Sequence, residues 1–166
     1  MNHMAIKVFI TGGTIDDLDY DKEEKTQRNK KTIIPGLLKK SRISLNYKIE
    51  IVCFKDSRFV NNSDRKLLLK KCRLCHEEKI VITHGTITMP TTAKYLGKHK
   101  LAKTIVLLGS AIPGNKENSD ALFNIGLAFA SVQLLPHGVY VTMNGKIFLW
   151  DNVKKNLETG FFETKK

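Results

Sequence analysis

Short apolar runs and longer amphipathic stretches alternate along the chain. Five runs are rich in β-branched residues and are typical of buried strands, at 6–10, 49–54, 80–82, 104–108 and 139–143. Four stretches between them have apolar positions at helical spacing, at 33–43, 63–76, 90–96 and 120–133. The pair Asn144-Gly145 then precedes a short apolar run at 146–149, and this arrangement predicts a hairpin.

This alternation predicts an α/β fold, namely an open three-layer parallel sheet with helices on both faces, of the Rossmann or flavodoxin-like kind. Strands that are buried on both faces show continuous apolar runs rather than an alternating pattern. With 166 residues the chain has the length of one ordinary domain, and it contains no internal repeat or linker. We therefore expect residues 1–166 to form a single α/β domain that ends in a short hairpin.

Glycines and hydroxyl side chains follow four of the predicted strands, at the edge where such a sheet forms its ligand crevice. They stand at 11–14, 56–58, 84–86 and 109–114. Glycine lets the backbone approach a ligand closely, and a hydroxyl becomes a nucleophile when a neighbouring base takes its proton. The sequence therefore predicts a hydroxyl-rich pocket, with Thr14 as the candidate nucleophile and Thr86 and a lysine as candidates for the second group.

Composition narrows the class of protein further. The chain is 42% hydrophobic and 27% charged, which is typical of a globular domain rather than a disordered one. No apolar run reaches the roughly 18 residues of a membrane span, and the first residues do not resemble a secretory signal, so we expect a cytoplasmic protein with no membrane partner. The three cysteines, Cys53, Cys72 and Cys75, fit reduced thiols rather than a disulfide framework.

A formal net charge of +12 is the unusual bulk property. It invites a nucleic-acid interpretation, but the cations are mostly scattered lysines without the clustered arginines and aromatic side chains of base readout. We therefore expect a solvated lysine-rich surface and no nucleic-acid partner. Acidic residues gather in one segment, which we interpret as a mobile polar loop: Asp16, Asp17, Asp19, Asp21, Glu23 and Glu24.

Two motifs resemble cofactor-binding sequences, but one differs from its pattern in spacing and the other lies in the wrong context. Residues 109–116 follow a predicted strand as a phosphate-binding loop would, but Asn115 separates the second glycine from Lys116. Residues 72–76 have the Cys-x-x-Cys-His spacing of covalent haem attachment, yet they end a lysine-rich helix in a chain with no export signal and no obvious second ligand. We interpret these cysteines as structural and expect neither a metal nor a cofactor.

His84 ends a predicted strand and precedes Gly85. It is either a catalytic base or a hydrogen-bonded residue that supports the turn, and the absence of a neighbouring carboxylate in sequence favours the second interpretation. His137 opens the fifth predicted strand at the opposite edge of the sheet, so we interpret it as structural.

Taken together, the strand-end motifs resemble the threonine amidohydrolase family of bacterial-type L-asparaginases. Residues 11–15 (Thr-Gly-Gly-Thr-Ile) are similar to that family's first signature, and residues 82–93 to its second. Residues 109–124, and residues 139–144 with Lys155 downstream, resemble two later family segments. The similarity runs from about Lys7 to Glu163 and is strongest to short members that have only the N-terminal domain, so we expect the C-terminal family domain to be absent.

The resemblance implies an amidohydrolase that converts a side-chain amide, of L-asparagine or a related small amide, to acid and ammonia through a threonine acyl-enzyme. It implies Thr14 as the nucleophile and Thr86 with Lys155 as the second catalytic group. The implied substrate-binding residues are Gly13, Tyr20, Ser57, Arg58, Gly85 and Ile87. A homo-oligomer is implied as well.

Ile87 departs from the family pattern, because members usually have an aspartate there that binds the substrate α-ammonium. Loss of a hydrogen bond to a charged group lowers affinity roughly ten- to a hundredfold. Two hypotheses therefore stay open: an amidohydrolase with a shifted substrate, or a noncatalytic relative that binds a small molecule. A third, nucleic-acid binding, rests on net charge alone and would show a steep dependence on salt.

Overall fold

The fold is taken from a computed structural model, which describes residues 5–17 and 31–165. One sheet contains the strands β1 (Ile6–Gly12), β2 (Tyr47–Lys55), β3 (Lys79–Thr83), β4 (Thr104–Leu108), β5 (Gly138–Met143) and β6 (Lys146–Leu149). The helices are α1 (Ile34–Lys40), α2 (Asn62–Leu74), α3 (Met89–Gly97) and α4 (Ala121–Leu134). Two very short antiparallel strands follow, β7 (Lys154–Lys155) and β8 (Phe162–Glu163).

The strand order of the sheet is β2-β1-β3-β4-β5-β6. The first five strands are parallel and β6 runs antiparallel to β5, so the predicted α/β class and its terminal hairpin are confirmed. After β1 the chain moves to one side of that strand for β2 and to the other side for β3. This reversal makes a topological switch point between β1 and β3, the place where open α/β sheets form their ligand crevice.

Both faces of the sheet are covered by helices, as the continuous apolar strands predicted. Val8 and Ile10 of β1 pack with α1 and α4 on one face. Phe9 of the same strand packs with α2 and α3 on the other face, beside Ile80 and Ile82 of β3. All five side chains are buried, and β1 is therefore fixed from both sides immediately before the crevice begins.

The C-terminal hairpin anchors the last part of the chain. Asn144 and Gly145 have φ values of 55° and 75°, the left-handed pair that a tight hairpin turn requires. The side-chain carbonyl of Asn144 accepts a 2.9 Å hydrogen bond from the Phe162 backbone N–H. Since the Phe162 side chain is also buried in the core, β8 is held in place and β7 with it.

Helix α1 is shorter than the sequence pattern predicted. It ends at Lys40 rather than near Ile43, since Arg42 takes a left-handed conformation with φ 51°. Ser41 caps the end by donating from both its backbone N–H and its hydroxyl to the Leu37 carbonyl. In the described ranges, no helix is long and apolar enough to cross a bilayer.

Gly97→Ala is expected to destabilise the fold, because an added Cβ would lie 2.2 Å from the ring of Trp150. Such overpacking costs about 1–3 kcal/mol. Gly126→Ala in α4 is the matched control, since its added Cβ meets nothing within 4 Å and alanine favours a helix over glycine by about 0.5–1 kcal/mol. Urea unfolding of both variants measures the difference. Equal stability of the two proteins would contradict this packing of Trp150.

Candidate active site

The turn after β1 presents Thr14. Gly12 and Gly13 have φ values of 96° and 90°, which disfavour any residue with a side chain. A Cβ on Gly13 would also lie 2.4 Å from the Gly85 Cα. The backbone after β1 is therefore in direct contact with the backbone after β3. Thr14 then begins a short 3-10 helix, Thr14–Asp16, and is 6% exposed. These glycines bring Thr14 close to the turn that follows β3.

Ser57, after β2, contacts the same turn. A Cβ on Gly85 would lie 2.6 Å from the Ser57 Cβ, so Gly85 is packed between Ser57 and Gly13. The Thr88 hydroxyl donates a 2.7 Å hydrogen bond to the Ser57 carbonyl, and the Thr88 N–H lies 3.4 Å from the Ser57 hydroxyl. The ends of β1, β2 and β3 therefore meet in one crevice. The structure brings together Gly13, Thr14, Ser57, Gly85 and Thr86.

Lys155 reaches the crevice from β7. Its Nζ donates a hydrogen bond to the Thr86 hydroxyl oxygen at 2.6 Å, between residues 69 positions apart in the chain. Burial lowers the pKa of the Lys155 ammonium, because the charged form loses hydration. Thr86 itself is 5% exposed. The lowered pKa makes the uncharged amine, the form that can accept a proton from a hydroxyl, more populated than it is for a lysine in water.

His84 supports the turn rather than acting as a base. Its Nδ1–H donates to the Gly85 carbonyl at 2.8 Å, and its Nε2 accepts from the Thr92 hydroxyl at 2.9 Å. This tautomer follows from the partners, because a carbonyl only accepts and the Thr92 oxygen already accepts from the Arg65 Nε–H at 3.1 Å. Burial lowers the pKa of His84 from 6.5 to about 4. A neutral imidazole with both nitrogens engaged holds Gly85 in place.

Asp16 corrects one expectation from the sequence. We predicted a mobile polar loop from Asp16 onward, but Asp16 is 4% exposed and belongs to the 3-10 helix of Thr14. Its Oδ1 accepts hydrogen bonds from the Thr32 hydroxyl at 2.7 Å and the Ile33 N–H at 2.8 Å, and burial raises the pKa of the carboxyl. The prediction was wrong there because these partners lie 16 and 17 residues downstream, where no local pattern signals them. The other predicted loop residues, Tyr20 among them, lie outside the described residues, apart from Asp17.

Arg58 and Ile87 follow Ser57 and Thr86 directly in the sequence. The Arg58 guanidinium binds Asp56 through Nε at 3.1 Å and Nη2 at 3.0 Å, and Asp56 also accepts from the Arg58 N–H. The arginine is therefore committed to a neighbour on its own turn. Ile87 is 41% exposed and stands between Thr86 and Thr88, both of which contact the crevice residues.

The loop after β4 packs against the turn that follows β3. Asp120 accepts hydrogen bonds from the N–H groups of Ala111 and Ile112, and Asn124 donates to the Gly109 carbonyl at 3.0 Å. A Cβ on Gly109 would lie 2.4 Å from the His84 carbonyl oxygen, so this loop also packs through bare backbone. The loop has a structural role that its likeness to a phosphate-binding motif did not indicate.

Nothing in the described structure suggests a metal site. Among residues 5–17 and 31–165, no group of three or more His, Cys, Asp or Glu side chains could hold a metal ion. All three cysteines are free thiols, and burial raises the pKa values of Cys53 and Cys72 to about 12. Cys72 belongs to the core that packs against α2 and α3, which fits the structural interpretation.

Comparison with known proteins places this arrangement in a family. A family model described as asparaginase, N-terminal, matches residues 5–162. The chain belongs to the asparaginase N-terminal family. The glutaminase-asparaginase of Pseudomonas fluorescens biotype A is 33% identical over 142 residues, which cover 80% of this asparaginase-family chain and 39% of the relative.

Solved asparaginases share the fold. The probable cytoplasmic L-asparaginase of Campylobacter jejuni has a TM-score of 0.79 and 28% identity, covering 96% of this chain and 52% of that one. The thermostable L-asparaginase of Thermococcus kodakarensis has a TM-score of 0.78 and 26% identity, covering 97% and 51%. The chain therefore spans about half the length of these structures and 39% of the Pseudomonas relative.

The buried His84 predicts a specific dependence of stability on pH. Its pKa is about 4 in the folded protein against an ordinary 6.5, so between these values only the unfolded chain binds the proton. Stability from this residue is present above pH 6.5 and is lost as the pH falls towards 4, by about 3 kcal/mol. Urea unfolding at pH 6.5 and at pH 4 should show a smaller loss for His84→Asn than for the wild type. An equal loss of stability in the two proteins between pH 6.5 and pH 4 would show that folding does not lower the pKa of His84.

Proposed function

We propose that the protein is an amidohydrolase of the L-asparaginase type, which hydrolyses the side-chain amide of L-asparagine or a related small amide to acid and ammonia. The observation that carries the proposal is the 2.6 Å hydrogen bond from Lys155 Nζ to the Thr86 hydroxyl, in the crevice that also holds Thr14. Family membership supports the reaction class, and the geometry supports the assignment of roles.

Thr14 is the proposed nucleophile. Its hydroxyl oxygen forms a bond to the amide carbon, and the carbonyl oxygen becomes a tetrahedral oxyanion. The carbon–nitrogen bond then breaks as the nitrogen takes a proton, and ammonia leaves an acyl-enzyme on Thr14. Water attacks this ester, releases the acid and restores the threonine hydroxyl.

Thr86 and Lys155 move the protons. A threonine hydroxyl is a weak nucleophile until a base accepts its proton, and a lysine amine can do so only when it is uncharged. Burial favours the neutral amine of Lys155, and the Thr86 hydroxyl links that amine to the crevice. The same groups return a proton to the leaving nitrogen.

Gly13 and Gly85 have no side chains that would keep a substrate from the backbone, so the nearby N–H groups of Thr14 and Thr86 can stabilise the oxyanion. The Ser57 hydroxyl binds the substrate carboxylate. Arg58 acts on the substrate through the turn it shares with Ser57, since Asp56 holds its guanidinium. Tyr20 remains a proposed substrate-binding residue from the resemblance. A homo-oligomer and a cytoplasmic location, the latter shared with the Campylobacter jejuni relative, belong to the same proposal.

A noncatalytic binding protein is the second candidate. The observation that favours it is Ile87, an apolar and 41% exposed side chain directly beside Thr86. Such a protein would be stabilised against heat by L-asparagine without releasing ammonia. Hydrolysis by Ile87→Asp would support this candidate only together with a wild type that releases ammonia from no small amide, whereas threonine-dependent ammonia release by the wild type would exclude it.

Thr14→Ala is expected to lower ammonia release by roughly a thousandfold or more, because it removes the hydroxyl that forms the acyl-enzyme in the proposed mechanism. Thr14→Ser keeps a hydroxyl on the same turn and should retain measurable turnover. A coupled ammonia assay on the two purified variants measures this, with urea unfolding as the test of folding. Unchanged release in Thr14→Ala would rule out the assigned nucleophile.

Lys155→Met should lower kcat roughly a hundredfold or more, since it removes the proton acceptor but keeps an unbranched side chain of similar length. Lys154→Met is the matched control, because Lys154 is half-exposed and pairs with Glu163 instead of the crevice. In the wild type, kcat/KM should rise with pH up to the lowered pKa of Lys155, where the amine loses its proton. Equal kcat values for the two methionine variants would remove Lys155 from the mechanism.

A further inference from the structure

The carboxylates at the carboxyl edge of the sheet are already used by the protein itself. Asp56 accepts three hydrogen bonds from Arg58, and Asp120 accepts from the backbone of Ala111 and Ile112 and from the Asn124 side chain. Asp16 accepts from Thr32 and Ile33 through one oxygen, and its other oxygen is buried beyond the reach of a ligand. Within residues 5–17 and 31–165, none of these three acids is open to a cation in the crevice.

Backbone carbonyls that line the same edge are engaged as well. The Ser57 carbonyl accepts from the Thr88 hydroxyl, the Gly85 carbonyl from His84, and the Gly109 carbonyl from Asn124. The Thr83 carbonyl, one residue before the turn, accepts from the Thr11 hydroxyl at 2.8 Å. Among residues 5–17 and 31–165, the crevice therefore offers few free acceptors to a ligand.

Donors, by contrast, remain available. The backbone N–H groups of Thr14, Thr86 and Ile87 have no hydrogen-bond partner in the part of the chain that the structure describes. The Ser57 hydroxyl accepts weakly from Thr88 and has its own proton to donate. Lys155 adds a further donor. This set suits carboxylate oxygens and a developing oxyanion, which only accept.

An α-ammonium group would find few hydrogen-bond acceptors among the described residues of this site. It carries three N–H donors and a full charge, and its transfer from water is costly unless acceptors replace the lost hydration. Ile87, the next residue after Thr86, has an exposed alkyl side chain, and an alkyl group offers no acceptor to a cation. The chemistry of the crevice thus fits a substrate that is anionic at one end, an amide at the other and without a cation between.

We propose that the preferred substrate is the ω-amide of a short dicarboxylic acid that lacks an α-ammonium group. This proposal rests on the proposed amidohydrolase function and specifies its substrate class. The reaction is unchanged: Thr14 forms an ester with the amide carbon, ammonia leaves with a proton, and water releases the dicarboxylic acid. No further reactant is required.

The experiment compares succinamic acid, the deamino analogue of L-asparagine, with L-asparagine itself, using the full chain and an ammonia assay. We expect kcat/KM for succinamic acid to exceed that for L-asparagine by about tenfold or more. Ile87→Asp should raise kcat/KM for L-asparagine by about tenfold or more through a lower KM, because it supplies the missing carboxylate. Ile87→Asn, with the same shape and no charge, should not.

The outcomes separate the two proposals. A preference for L-asparagine that disappears in Thr14→Ala would overturn the substrate class and leave the amidohydrolase function standing. Ammonia release from neither substrate would overturn the amidohydrolase function and the substrate class that rests on it. Release that persists in Thr14→Ala would rule out Thr14 as the nucleophile. An equal gain for L-asparagine in Ile87→Asn and Ile87→Asp would show that size rather than charge at this position decides the preference, against the proposal.

Discussion

Close contact at the glycines of the strand-end turns is the constraint on which the crevice depends. Ser57 packs on Gly85, Gly85 on Gly13, and Gly109 on the His84 carbonyl, each at a distance that leaves no room for a Cβ. The segments after β1, β2, β3 and β4 are therefore joined in one layer. Any side chain at these glycines would separate the loops, and the hydroxyls of Thr14, Ser57 and Thr86 would no longer lie at neighbouring turns.

Two sets of hydrogen bonds fix the positions of these strand-end turns. On one side, Arg65, Thr92 and His84 form a buried chain of hydrogen bonds that ends on the Gly85 carbonyl. On the other, Asp16 ties the Thr14 turn to the residues that lead into α1. These contacts use buried polar groups, which are costly unless satisfied, so the network favours one arrangement of the turns over alternatives.

The fold could be predicted from the sequence because its signals are local. Strand β4 was predicted at 104–108 and lies there, since its apolar residues are buried on both faces of the sheet. The end of α1 was predicted incorrectly. The residue that takes the left-handed conformation there is Arg42, whereas glycine or asparagine is the usual sequence signal for such a helix end. In the candidate site, the glycine and hydroxyl motifs lie on turns that the structure brings into contact. Sequence could not show Asp16 to be buried, because its partners come from a distant segment.

Lys155 was assigned to the site from the family resemblance, because no local sequence pattern indicates it. Nothing in the local sequence of β7 distinguishes it from Lys154, yet the hairpin of β7 and β8 exposes Lys154 and directs Lys155 to Thr86. The direction is set by the bond from Phe162 to Asn144 and by the buried Phe162 ring. A two-residue strand is too short to give a periodic signal, so only the assembled structure distinguishes the two lysines.

Ile87 has two physical consequences that reinforce each other. A carboxylate beside Thr86 would stabilise the Lys155 ammonium and raise its pKa. An alkyl group does not oppose the effect of burial, which lowers the pKa. The same alkyl group removes an acceptor for a substrate cation. An uncharged residue at this position therefore favours the neutral amine, which can accept a proton, and it also favours a substrate without an ammonium group. In the proposed mechanism, the protonation state of Lys155 and the charge of the substrate are thus linked through the side chain at position 87.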